Sequence, residues 1–345
     1  MKIVCAADTY ITPEMMEGGV RPYLAPEDSL QTFFFGVWGK EGMRDINRAI
    51  ETGHRREVAL PEGFLEAARE ADLLIVHLCP VNEDLLEGAR NLKAVMSCRG
   101  GLENVAVEKA SELGIIVSNN PAHNANAVAE YTIGMILCET RNIGRAHSAL
   151  KNGEWRKSFP NSETTIRELC DMTVGIVGFG SIGRLVAAKL LPFGCRILAS
   201  DPFATSSGVD YVSLVPFEEL LAQSDVVTLH ARSDKAIMTE HEFSLMKQNS
   251  YLINTARAYL VESDAFRAAM DSGKLLGAAI DVFESEPDIP EFYRSYDNIT
   301  LTTHRGGDTI NSYKDAPAFA ISNYLGYAQE GKDLRFFANR NSIRK

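Results

Sequence analysis

The chain has 345 residues, 45% of them hydrophobic and 23% charged, and 35 Lys and Arg against 46 Asp and Glu give a formal net charge of −11. That length accommodates two domains of ordinary size, and the composition is that of a globular protein. The acidic balance argues against nucleic acid or an anionic membrane as a partner, and no apolar run approaches the length of a membrane span.

Residues 2–6 read as a buried first strand. Residues 11–40 are rich in Gly, Pro and aromatics without a period, and Phe33, Phe34, Phe35 and Trp38 among them are expected to pack in a core or an interface. Met43, Ile46 and Ile50 carry a helical stripe that stops at Gly53, and 62–70 is a second short helix. From Ala71 strands (73–78, 94–97, 115–118) alternate with helices (85–90, 107–113). Such alternation predicts a parallel sheet with covered faces, a domain complete in itself. Asn119-Asn120-Pro121 ends it. Residues 125–149 then read as one long helix, apolar nearly all round from Val128 to Cys138, which demands burial between domains or against another subunit. Residues 151–169 are expected to form an irregular surface arm carrying Trp155.

The stretch 173–201, T-V-G-I-V-G-F-G-S-I-G-R-L-V-A-A-K-L-L-P-F-G-C-R-I-L-A-S-D, opens with a β-branched run suited to a strand buried on both faces. Gly178, Gly180 and Gly183 follow as G-x-G-x-x-G around Ser181 and Ile182: one glycine for a tight turn, one for backbone approach to a pyrophosphate, one for close packing of helix on strand. Ile182, Leu185, Val186 and Leu190 carry a helix to Pro192, with its positive end toward the glycines. Asp201 ends the next strand about 20 residues on, where a carboxylate accepts the adenosine ribose hydroxyls and repels a 2′-phosphate. The expected cofactor is NAD. Beyond Asp201 the alternation resumes with helices 217–221, 240–246 and 263–271 and strands 226–230, 251–254, 278–282 and 299–302, an open doubly wound sheet. Residues 309–329 are helical and, with no strand left to cover, are expected back on the first domain.

The cysteines, Cys5, Cys79, Cys98, Cys138, Cys170 and Cys195, lack disulfide or zinc spacing and read as buried thiols in a reducing compartment, with no metal expected. The start, M-K-I-V-C-A-A-D, is too quickly polar for a signal peptide, so a cytoplasmic location is expected.

Ligands of doubly wound sheets lie beyond the carboxyl ends of the strands. There the chain places Thr255-Ala256-Arg257, then Asp281 followed by Glu286, then Thr303-His304. Each of Arg257, Glu286 and His304 alone would pass for an ordinary surface or structural residue. Together, downstream of a dinucleotide fingerprint, they suit hydride transfer between NAD and a 2-hydroxy acid. A guanidinium holds a carboxylate and polarises a carbonyl, an imidazole exchanges the proton, and a carboxylate fixes the imidazole tautomer.

The motifs R-N-I-G-R-A-H, V-G-I-V-G-F-G-S-I-G, N-T-A-R-A-Y-L-V-E, D-V-F-E-S-E-P and T-T-H-R-G-G resemble, in order, the signatures of the NAD-dependent D-2-hydroxyacid dehydrogenase family, from about Leu73 to His304. The resemblance implies two Rossmann-like doubly wound α/β domains. The NAD domain (120–306) would be inserted into a discontinuous flavodoxin-like substrate domain (1–119 and 307–345), with a cleft that closes on substrate. It implies catalysis by Arg257, Glu286 and His304, and cofactor contacts from Gly178, Gly180, Ser181, Ile182, Gly183, Asp201, Thr255, Ala256 and Asp281. The loop Arg99-Gly100-Gly101 would hold the substrate carboxylate by its backbone amides, and the helix at 125–149 would form a homodimer.

Departures from the family pattern bear on substrate: Ala258-Tyr259 after the Arg, Thr303 and Arg305 around the His, Ala231-Arg232 after strand 226–230, and His123 before the long helix. With Arg99, the cations suggest a polyhydroxylated or doubly anionic acid. The alternative is a non-catalytic, NAD-responsive binding protein, since some relatives act as corepressors. Formate chemistry is disfavoured, because that branch carries Gln where Glu286 stands.

Overall fold

The computed structural model describes residues 1–159 and 166–343. The chain divides into two compact units, Met1–Asn124 with Thr309–Lys345, and Ala125–Asp308.

Unit 1 is built on five parallel strands, β1 (Lys2–Ala7), β2 (Ser29–Phe34), β3 (Leu73–Val76), β4 (Ala94–Ser97) and β5 (Ile116–Ser118), in the order β2-β1-β3-β4-β5. Successive side chains of a strand face opposite sides, and β1 shows the consequence. Val4 and Ala6 join one core with Phe35, Phe64 and Leu74, whereas Ile3 and Cys5 join another with Ile75 and Met96. The second face is covered from the far end of the sequence, by Ala316, Ala320, Ile321 and Tyr324 of helix Ala316–Glu330. Gly19 is where that helix comes closest: a Cβ there would lie 2.9 Å from Pro317 Cβ.

Unit 2 carries seven parallel strands, β6 (Thr173–Val177), β7 (Arg196–Ser200), β8 (Val212–Leu214), β9 (Val226–Leu229), β10 (Ser250–Asn254), β11 (Leu275–Ile280) and β12 (Ile299–Leu301), in the order β12-β11-β10-β9-β6-β7-β8. Helices Ala125–Thr140 and Ser181–Leu190 cover one face through Ala129, Ile136, Val186 and Leu190. Helices Phe217–Gln223 and Ser263–Asp271 cover the other through Leu220, Leu221, Phe266 and Met270. Both units are therefore doubly wound α/β folds, the second inserted in the first.

Several sequence expectations need correction. Residues 11–40 are not irregular throughout: they contain helix Pro13–Val20 and strand β2. Helix 125–149 is two helices, Ala125–Thr140 and Ile143–Lys151, turned at Asn142, which adopts a left-handed φ of 55°. Glu139, buried and pushed up to about 7 by burial against the pull of Arg145, receives Arg145 from the second helix and so fixes the turn. The helix expected over 309–329 breaks likewise into Ile310–Lys314 and Ala316–Glu330, with Pro317 at the start of the second. Strand β8 escaped the pattern, and Cys170 is exposed rather than buried. Part of the arm expected over 151–169, residues 160–165, lies outside the described residues; Trp155 is 76% exposed. Among the described residues no helix is long and apolar enough to cross a membrane.

Candidate active site

In unit 2 the chain runs from β6 to β7 and β8 on one side of the sheet, then crosses to β9 on the other, so the sheet reverses direction between β6 and β9. A crevice opens at such a point beyond the strand ends, and the glycine loop after β6 borders it.

Gly178 has φ +92°, and a Cβ there would lie 2.6 Å from Ala231 N, so both its conformation and its space require glycine. A Cβ on Gly183 would collide with the Gly178 carbonyl, whereas at Gly180 it would meet nothing within 4 Å. Helix Ser181–Leu190 begins at Gly180 without a side-chain cap, leaving its first amides for an anion. Asp201 is braced by two backbone donors, Phe179 N to Oδ2 and Phe203 N to Oδ1, both at 2.8 Å. Since each carboxylate oxygen accepts twice, both can still receive a ribose hydroxyl. Open space over the second glycine, uncapped amides and a braced acid fit a dinucleotide without a 2′-phosphate.

The three polar residues expected to act together follow β10, β11 and β12, neighbours in the sheet. Asn254, buried at the end of β10, accepts from Ala256 N at 3.0 Å and donates to Arg257 O at 2.9 Å, shaping the turn that presents Arg257. The Arg257 guanidinium is exposed and folds onto Ala256 O at 2.7 Å. Thr255 is buried and bonded to Thr132 of the helix below, 2.9 Å between hydroxyls.

Glu286 Oε2 stands 2.9 Å from Nδ1 of His304, and its Oε1 accepts from Phe283 N at 2.9 Å, so the carboxylate is anchored before it touches the ring. Nδ1–H therefore points at Glu286 and Nε2 is the nitrogen presented outward. His304 has a left-handed φ of 52°. Asp281, expected among the cofactor contacts, explains that turn. Its buried carboxylate accepts from Thr302 Oγ1 (2.7 Å), Arg305 N (2.9 Å) and Gly306 N (2.9 Å), and its carbonyl accepts from His304 N (2.9 Å). Asp281 and Asn254 are the positioning residues that sequence reading undervalued; the one signal was their place at strand ends.

In unit 1 the loop after β4 is held by Asn119, which donates to Gly100 O at 2.6 Å. The Arg99 guanidinium is engaged by Glu51 at 3.1 Å and Glu103 at 3.5 Å. Its Nη1 is buried without a hydrogen-bond partner. Among the other departures, Arg305 pairs with Asp308, Arg232 and Tyr259 are exposed, and His123 lies against Ser312 O at 3.1 Å.

Fold and site together define a class: a doubly wound dinucleotide-binding protein with a carboxylate-fixed imidazole at the strand ends of the same sheet. Comparison gives the family. A family model described as D-isomer specific 2-hydroxyacid dehydrogenase, NAD binding domain, matches residues 133–306. The D-3-phosphoglycerate dehydrogenase of Methanocaldococcus jannaschii is 37% identical over 265 residues, 74% of this chain and 49% of that protein. The hydroxypyruvate reductase of Thermotoga maritima is 37% identical over 254 residues, 71% of this chain and 81% of that protein. The chain thus spans about half the length of the first relative and about four fifths of the second. Among solved structures, a D-isomer specific 2-hydroxyacid dehydrogenase from Lactobacillus delbrueckii ssp. bulgaricus shares the fold with TM-score 0.77 at 20% identity, over 97% of this chain and 99% of that one. This protein belongs to the D-isomer specific 2-hydroxyacid dehydrogenase family, and unit 2 carries the family's NAD-binding domain.

Proposed function

We propose that the protein reduces a polar 2-oxo acid to the D-2-hydroxy acid, or runs the reverse reaction, with NAD(H). The observation that carries this reading is the His304–Glu286 pair at 2.9 Å, set one strand from the Arg257 turn. Bound at the glycine loop, the nicotinamide cofactor supplies or accepts the hydride. The protein does the rest. Arg257 swings from Ala256 O to the substrate, where its planar fork holds the carboxylate and polarises the 2-oxo group. As the oxo carbon gains hydride, its C=O electron pair moves to oxygen, and His304 Nε2 delivers the proton there. The imidazole then recovers its proton from water while Glu286 keeps Nδ1–H in place. The Gly100 and Gly101 amides are assigned to the substrate carboxylate, and residues 1–119 with 307–345 to substrate binding.

A cytoplasmic homodimer completes the reading; the dimer is supported by exposed apolar side chains on helix Ile143–Lys151, where Ile143 is 55% and Leu150 57% exposed. Sedimentation equilibrium at twice the chain mass supports it, and a monomer removes it. The alternative, a binding protein without turnover, gains nothing from the relatives described above, which are dehydrogenases and reductases. Loss of NADH absorbance on adding 2-oxo acids tests the central reading. Oxidation that needs both keto acid and enzyme is expected; tight NADH binding with no oxidation across a broad panel would refute it.

A further inference from the structure

We infer that the cavity between helix Ala316–Glu330 and the segment that follows it in unit 1 is a second ligand site. It takes a small monocarboxylate, with the carboxylate on Arg335 and a short apolar body on Phe319. None of the lining side chains takes part in the hydride-transfer chemistry described above.

The helix has two working faces. Ala316, Ala320, Ile321 and Tyr324 pack on the unit 1 sheet. Phe319, Ser322, Asn323 and Gly326, spaced as one helical face, instead line the cavity, which Lys332, Asp333 and Arg335 close from the other side. Its volume is about 210 Å³, the share of roughly seven water molecules, enough for a short-chain acid. At Gly326 an added Cβ would lie 3.5 Å from Lys332 Cδ, an ordinary contact, so any larger side chain at that position must grow into the cavity.

The wall that carries Arg335 is fixed at several points. Asn323 Oδ1 accepts from Arg335 N at 3.0 Å, and Asn323 Nδ2 donates to Arg335 O at 2.9 Å. Ser118, fully buried at the end of β5, donates its hydroxyl to the same carbonyl at 2.9 Å. The guanidinium itself lies between two rings, 5.1 Å from the centroid of Phe319 and 5.5 Å from that of Phe336. An arginine held in this way has already given up much of the rotamer freedom that binding a ligand would otherwise cost.

Charge names the ligand. Lys332 Nζ meets Glu330 at 2.5 Å, and Asp333 meets Arg340 at 3.3 Å. Among the described residues no carboxylate meets the Arg335 guanidinium, so the lining keeps one unmatched positive charge. A planar fork of donors matches a carboxylate with two parallel hydrogen bonds. A single unmatched charge suits a monoanion, whereas a phosphate dianion or a dicarboxylate would bring a second negative charge toward Asp333. The Phe319 ring lines the same cavity, so an acid with a short apolar chain gains by burying that chain there.

The test is isothermal titration calorimetry at fixed ionic strength, with butyrate and inorganic phosphate as probes. It uses the full chain carrying Arg257→Gln with NADH saturating, so that neither the Arg257 guanidinium nor the glycine loop takes the probe. Butyrate is expected to bind at one site with a Kd on the order of 1 mM. Adding Arg335→Gln should weaken it by about tenfold or more, and so should Gly326→Leu, which keeps the charge and fills the cavity. Phosphate is expected to bind at least about fivefold more weakly than butyrate. Should Gly326→Leu fail to fold, Arg335→Gln, a change at an exposed side chain, carries the comparison. No saturable butyrate binding, undiminished binding in either folded variant, or phosphate bound as tightly as butyrate overturns the inference. Turnover is not read in any arm, so none of these results bears on the oxidoreductase reading.

Discussion

His304→Asn is expected to lower kcat for keto acid reduction by about 10³-fold while leaving NADH affinity nearly unchanged. Asparagine is the informative replacement because residue 304 adopts a left-handed φ of 52°, a conformation Asn tolerates, so the turn held by Asp281 survives. What is lost is the proton donor at Nε2. Glu286→Gln should cost less, about 10- to 10²-fold, since it weakens the hold on Nδ1 without removing the imidazole. Stopped-flow NADH oxidation separates the two from a binding defect. Equal losses in kcat and in NADH affinity would mean that the turn, rather than the proton, had been removed.

Asp8→Ala is expected to destabilise unit 1 by about 3–5 kcal/mol, because a fully buried carboxylate leaves behind three backbone donors and the His77 Nδ1–H. For a unit of this size that is a fall in melting temperature on the order of 10 °C. The pH dependence has a definite sign. The folded-state pKa of Asp8 lies below its unfolded value, so its contribution is complete above the unfolded value and is lost as pH falls through the folded one. Calorimetry should therefore find the gap between wild type and variant constant from about pH 6 to 8 and closing only in acid. A gap that closes on raising the pH would contradict an ionised Asp8.

What could be read in the sequence was whatever is local. The cofactor cradle is contiguous, with strand, glycines, helix, strand and Asp201 following one another, and Gly178 and Gly183 stand where positive φ or close packing demands glycine. Arg257, Glu286 and His304 stand out because each follows a strand that the apolar pattern reveals. Helix Pro13–Val20 was hidden by Gly18 and Gly19, and Gly19 is there to admit Pro317 from the other end of the chain. Strand β2 lies at the edge of its sheet and mixes exposed with half-buried residues, so neither period shows. The break at Asn142 depends on Glu139 receiving Arg145 beneath Thr300, and helix propensity carries no trace of that. Asp8 and His77 stand 69 residues apart, and only the parallel pairing of β1 with β3 makes them neighbours.

The central claim is hydride transfer to the carbon of a 2-oxo acid with protonation at its oxygen, giving the D-hydroxy acid. It is tested most directly by running the enzyme with NADH deuterated at C4 and analysing the product by chiral chromatography and mass spectrometry. The account predicts a D-2-hydroxy acid carrying deuterium at C2, lost together with turnover in His304→Asn. An L product, or keto acid recovered unreduced while NADH remains bound, would contradict it.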